Sequence, residues 1–172
     1  MIASDLGEKK GDFTCGYTSL DITDEYQYAK LVKDNKIDYI VHLAAILSAT
    51  GELVPDKAMK VNVNGAITAL NLAREHKAQI FIPSTIAVFG GDTFQKDKTP
   101  VDSILQRTTM YGISKVFNEQ LGTYYNKKFG VDFRCMRYPG VISSEKYAFN
   151  GTAMYSTCKF SEGDSLINRN LF

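Results

Sequence analysis

The sequence predicts an α/β fold built on a parallel sheet, and two observations carry that prediction. "IDYIVHLAAIL" and "QIFIPSTIAVFG" are continuous apolar runs, the kind buried on both faces of a parallel sheet. They alternate with segments whose apolar residues return every three or four positions, the period of a helix with one buried side. The length of 172 residues is enough for one domain with a sizeable core. A hydrophobic fraction of 44% and a charged fraction of 23% are ordinary for a globular chain.

Taken in order, Ile2 to Leu6 reads as a short strand with Asp5 near its end. A polar stretch with Gly7, Gly11 and Gly16 comes after it. Residues 24–36 suit a helix, with Tyr28, Leu31 and Val32 on one side and Thr23 as N-cap. The strand at 37–47 comes next. Residues 56–77 form a helix in which Met59, Val63, Ala66, Leu70 and Ala73 make the apolar face. The strand at 79–90 closes on Gly90 and Gly91. A long helix over 109–129 carries Val116, Phe117, Leu121, Tyr124 and Tyr125, with Gly130 placed to cap it. "VDFRCMRYPG" is the last strand, stopped by Pro139. From about Ser143 the chain is polar without a clear period.

Composition narrows the function. A formal net charge of +1 with no basic cluster indicates neither a nucleic-acid partner nor an anionic membrane surface. Cys15, Cys135 and Cys158 are scattered, without a C-x-x-C pair, so a disulfide framework and a zinc site are not expected. His42 and His76 lack metal-ligand spacing. The apolar run from Ile40 to Ala49 is too short to span a bilayer, and no basic-then-apolar leader is present.

The chemistry is concentrated in "YGISK". Tyr111 and Lys115 are four residues apart, which on a helix puts both on one face, one turn apart. A free phenol titrates near pH ~10 and is a poor base at neutrality; a nearby ammonium favours the phenolate. Ser84 and Thr85 stand where the run "QIFIPSTIAVFG" reaches the carboxyl edge of the sheet. Ligands of open α/β sheets bind at that edge, and a hydroxyl there can hold a substrate oxygen while Tyr111 moves its proton.

These stretches, in this order, resemble the extended short-chain dehydrogenase/reductase family over roughly Ile2 to Ile142. Within it, "HLAAILSATGE", "PSTIAVFG", "TMYGISKV" and "RYPGVIS" are similar to the short-chain-type L-threonine 3-dehydrogenases. The resemblance implies a doubly wound, Rossmann-like parallel sheet and NAD as cofactor. It makes Asp5 and Leu6 the ribose end of the cofactor site, Asp21 and Ile22 its adenine flank, and Leu43, Ala44 and Ala45 the strand end beneath it. Asn62, in "NVNG", matches a cofactor-side asparagine, and Tyr138 and Val141 would border the nicotinamide. Thr85, Tyr111 and Lys115 match the catalytic hydroxyl, tyrosine and lysine, with Ser84 assisting; Ser48, Thr85 and Tyr111 would meet substrate.

The implied reaction is NAD-dependent oxidation of L-threonine at C3 to 2-amino-3-ketobutyrate. The alternatives are a UDP-hexose epimerase or dehydratase, or a catalytically silent, dimerising module. The resemblance further implies a homodimer formed through the helices at 56–77 and 109–129. The implied compartment is mitochondrial in a eukaryote and cytoplasmic otherwise. Residues 1–142 would be a partial NAD-binding domain and 143–172 the start of a substrate-binding region. Met154, in "GTAMYS", stands where the resemblance places an acid. A first strand, Gly-rich turn and helix, expected before "MIASDL", is not among these residues. It would leave the strands at Ile2 and Ile80 without a shared neighbour.

Overall fold

The computed structural model describes residues 1–8, 14–89, 98–102, 105 and 107–139. Val141, Met154 and the region 143–172 lie outside them. The described part is α/β, and every strand pairing in it is parallel. β1 (Ile2–Asp5) pairs with β2 (Gly16–Ser19), in register Ile2 with Gly16 through Asp5 with Ser19. A three-stranded sheet comes next: β3 (Tyr39–Val41), β4 (Gln79–Phe81) and β6 (Phe133–Arg134), with β4 central. The same chain directions continue as a second short pair, β5 (Ser84–Thr85) beside β7 (Arg137–Tyr138).

Helices fill the crossovers. α1 (Glu25–Asp34) buries Tyr28 and Val32, as its period predicts. Its N-cap is Asp24 rather than Thr23: the Asp24 carboxylate accepts the Gln27 N–H at 3.0 Å. Thr23 is instead bound back to Asp21, which takes both its N–H and its hydroxyl at 2.8 Å.

The expected helix at 56–77 is three pieces: α3 (Pro55–Met59), a π-turn over Lys60–Asn64, and α4 (Gly65–His76). Val63, Ala66, Leu70 and Ala73 are buried, but Met59 is 40% exposed. The extra residue of the π-turn rotates the face, so the periodicity through Met59 does not carry into the core. α2 (Ser48–Leu53) and β2 are elements that the sequence reading leaves as loop. β2 is Gly16, Tyr17, Thr18 and Ser19, too short and polar for alternation to show.

α5 (Met110–Phe129) begins one residue later than expected, with Thr109 as N-cap and Gly130, the expected cap, at φ 69 as C-cap. Its buried face differs from expectation. Phe117 and Tyr124 are exposed, while Gly112, Ser114, Lys115, Asn118, Gly122 and Tyr125 face inward. The reason is close approach: a Cβ on Gly122 would lie 2.3 Å from the Phe133 ring. The helix is drawn onto the sheet by small and polar residues, which an apolar-period search passes over.

The core lies between α1, α4, α5 and the sheet, around Leu70, Ile80, Ile82 and Val32. Ile80 is flanked on both sides, by β3 and by β6. The expectation that the strand at Ile80 loses a neighbour shared with the strand at Ile2 is therefore corrected: β4 is paired on both sides, and among the described residues β1 and β3 are each paired on one side only.

Candidate active site

The site is built where α5 starts, over the break between β4 and β5. Lys115 is buried, and its Nζ donates to the Pro83 carbonyl at 2.8 Å. Pro83 has no N–H, so the strand cannot continue its ladder on that side, and its carbonyl is left for the ammonium. The first turn of α5 is fixed twice more. The Met110 N–H donates to Glu52 of α2 at 2.7 Å, and the Gly112 N–H to the Thr109 hydroxyl at 3.2 Å. Gly112 is needed: a Cβ there would stand 3.1 Å from the Ala87 carbonyl. Tyr111, half-buried, and Thr85 thus lie on two segments locked together at Pro83 and Ala87.

Thr85 accepts the Ala87 N–H at 3.1 Å, capping the short turn Ile86–Val88. That bond uses an oxygen lone pair and leaves the hydroxyl proton to donate. Tyr138 is the β-ladder partner of Thr85. Ser84 faces the other way, because neighbours on a strand alternate sides. Its hydroxyl donates to Glu119 at 2.5 Å. Its expected role beside Thr85 is therefore corrected to a structural one. Glu119 also receives Arg137 bidentately, at 2.9 and 2.7 Å, and Arg137 lies 4.8 Å from the Phe89 ring centre. Burial pushes the Glu119 carboxyl up, but the Arg137 and Ser84 hydrogen bonds outweigh it and hold it ionised. The network pins α5 to β5 and β7. Its signal in the sequence was spacing: Tyr111, Lys115 and Glu119 recur at four-residue steps.

Electrostatics also correct one expectation. Burial pushes the Tyr111 phenol up, and Lys115 does not lower it in this arrangement. The ammonium is engaged by Pro83, 5.6 Å from the Tyr111 ring centre. Burial in turn lowers Lys115 to about 8. His42, buried nearby and stacked on Tyr28, is lowered to about 4 by burial and by the Lys115 charge.

Asn62 sits in the π-turn, buried. Its Oδ1 accepts the Ile46 N–H at 2.7 Å, and its Nδ2 donates to the Ile46 carbonyl at 2.9 Å and to Ser114 at 3.3 Å. Both ends of the amide are thus committed to protein. The expected cofactor contact is corrected: Asn62 fixes the segment after β3 against α5. Ser48 begins α2 and is half-buried. Asp5, Leu6, Asp21, Ile22, Leu43, Ala44 and Ala45 come together, lining with Lys57 one cavity of ≈ 730 Å³. Asp21 is held low, chiefly by the Thr23 N–H and then by the Thr23 hydroxyl. Among the described residues no cluster of His, Cys, Asp or Glu could hold a metal, and no helix is long and apolar enough to cross a membrane.

The sequence model of the NAD dependent epimerase/dehydratase family matches residues 4–166. The chain belongs to that family. It is 42% identical to an uncharacterized epimerase/dehydratase of Staphylococcus aureus over 159 residues, 91% of this chain and 49% of the relative. Among solved structures it is similar to a monomeric L-threonine 3-dehydrogenase from a metagenome (43% identity, TM-score 0.84, covering 91% of this chain and 50% of that one). It is likewise similar to the L-threonine dehydrogenase of Clostridium difficile (39% identity, TM-score 0.87, covering 94% and 51%). The chain spans about half the length of the curated relatives it matches. The Rossmann-like α/β fold expected from the sequence is thereby shown.

Proposed function

We propose that these residues carry out the chemical step of an NAD-dependent dehydrogenase that oxidises L-threonine at C3 to 2-amino-3-ketobutyrate. One observation carries the reading. Lys115 on Pro83 fastens the Tyr111 turn of α5 to the strand end that bears Thr85. The cavity at Asp5 and Asp21 fits the adenosine end of the dinucleotide. It offers a carboxylate at a strand end to ribose hydroxyls, and the small side chains of Ala44 and Ala45 as a flat wall.

When bound, NAD supplies a hydride acceptor and a positive charge beside the phenol. Thr85 donates to the substrate 3-hydroxyl oxygen, and Tyr111 takes the proton from that hydroxyl as the C3 hydrogen leaves as hydride. Burial keeps Tyr111 protonated in the free chain, so its base form depends on Lys115 turning from Pro83 toward it and on the cofactor's charge. Asp5 favours NAD over a 2′-phosphorylated dinucleotide by charge repulsion.

The exposed stripe of Ile113, Phe117 and Tyr124 on α5 is where a second copy would pack in a homodimer. The test of function is turnover of the 172-residue chain with NAD and either L-threonine or UDP-galactose. NADH formed with threonine alone supports the reading. Epimerised sugar replaces it with the epimerase alternative. No turnover with either, and no NAD binding, replaces it with a silent module.

A further inference from the structure

We infer that Glu52 is the positioning residue that sets Tyr111, acting from α2 through the Met110 N–H. The first N–H groups of a helix have no partners within it. In α5 the Thr109 hydroxyl takes the Gly112 N–H, and the Glu52 carboxylate takes the Met110 N–H at 2.7 Å. A helix often supplies such an acid itself, three residues after its N-cap. Here that place is Gly112, where a Cβ would stand 2.9 Å from the Thr109 hydroxyl oxygen and 3.1 Å from the Ala87 carbonyl. A side chain there would push into the turn after Thr85. The acid comes instead from 58 residues earlier in the chain.

The same segment closes on Tyr111 from its other side. The Tyr111 carbonyl accepts the Ser114 hydroxyl at 2.8 Å, and the Ser114 oxygen accepts the Asn62 amide at 3.3 Å. Asn62 in turn holds both the N–H and the carbonyl of Ile46, which stands just before α2. Residues 46–52 thus grip Tyr111 at both flanks, by the N–H before it and, through Asn62 and Ser114, by its own carbonyl. Ser48, the proposed substrate contact, is four residues before Glu52 and shares its face of α2. One short helix therefore carries both a proposed substrate contact and the fastening of the proposed base.

Glu52 is exposed and lies outside the core, so what its bond fixes is local. The catalytic part of this inference rests on the dehydrogenase reading above. The hold on Tyr111 does not.

The test uses the full chain with Glu52→Ala, Glu52→Gln and Met110→Pro. Proline suits the first position of a helix, and Thr109, at φ −108 and ψ 142, already has the backbone that precedes proline. The change removes the N–H and keeps the helix start. Amide exchange and the Tyr111 ring signals are followed by NMR. In Glu52→Ala the Ile113 amide, which donates to the Thr109 carbonyl, is expected to exchange about fivefold faster, with Ile80 unchanged. The Tyr111 ring signals should move toward those of an exposed tyrosine. Met110→Pro should do the same, and combining it with Glu52→Ala should add nothing, because both remove one bond. Glu52→Gln keeps an acceptor and should restore both readings. In turnover of threonine, Glu52→Ala should lower kcat about tenfold and leave KM for NAD within about twofold. Unmoved Tyr111 signals in Glu52→Ala would overturn the inference, as would additive losses in the double variant or no rescue by Gln. An unchanged kcat would overturn its catalytic part. A chain that never turns over threonine strikes the dehydrogenase reading instead, and the Tyr111 signals then decide on Glu52 alone.

Discussion

The two halves of the sheet are unlike. β3, β4 and β6 are covered by α4 and α5, and Ile80 and Leu70 are both 0% exposed. β1 and β2 are tied to the core mainly by Leu20 and Ile22, just after β2, and their own residues are half-buried or exposed. Tyr111, Lys115 and Thr85 stand on the packed half, while Asp5 stands on the loose one. The lesson is that the proposed reacting geometry and the proposed ribose end of the cofactor site are held by different amounts of structure, so they can be disturbed separately.

The largest expected effect is on the packed half. In an active preparation, Tyr111→Phe should lower kcat by about a thousandfold with NAD affinity nearly unchanged, read by steady-state kinetics and titration. Survival of turnover would mean that another group is the base. Next is stability. Ile80→Ala should cost about 3–4 kcal/mol in denaturant unfolding, and Ile2→Ala less than about 1 kcal/mol. Equal losses would erase the contrast between the halves.

The pH dependence sharpens it further. His42 titrates near 6.5 when unfolded and at about 4 when folded, so between those values the unfolded chain binds the extra proton. Stability therefore falls as pH drops from 6.5 to 4, by up to about 3 kcal/mol from this group. His42→Phe keeps a ring beside Tyr28 and should flatten that slope in denaturant midpoints measured across the window. Lys115 works at the other end. The unfolded chain holds the extra proton between about 8 and 10.5, so its burial penalty is relieved as pH rises through that range. The smallest effect is at the surface. Phe117→Glu should shift sedimentation toward monomer if α5 forms a dimer, with stability changed by less than about 0.5 kcal/mol.

Much of this was legible beforehand, and the rest was hidden for physical reasons. α5 announced itself through its apolar period, Gly130 and the Tyr111–Lys115 spacing, because a C-cap and helical period are local chemistry. The residues lining the cavity at Asp5 and Asp21 were reached through the family resemblance, which groups these strand ends, and not from period or spacing. Ser84 was misjudged because adjacency in sequence says nothing of side, and alternation sends it to Glu119. Asn62 was misjudged because its partner, Ile46, is 16 residues away. The π-turn was invisible because one added residue breaks the very period used to find helices. β2 has no apolar alternation to detect, and its place is set only by the β1 ladder.

Pro83 acts as a zipper stop. Strands β3 and β4 close together up to His42 and Phe81 and then part, because the next link would require an N–H that an imide nitrogen does not carry. From that point the chain after His42 peels away toward Ile46, and the orphaned carbonyl becomes the mooring for Lys115. The crevice in which chemistry is proposed opens at the tooth where the zip jams.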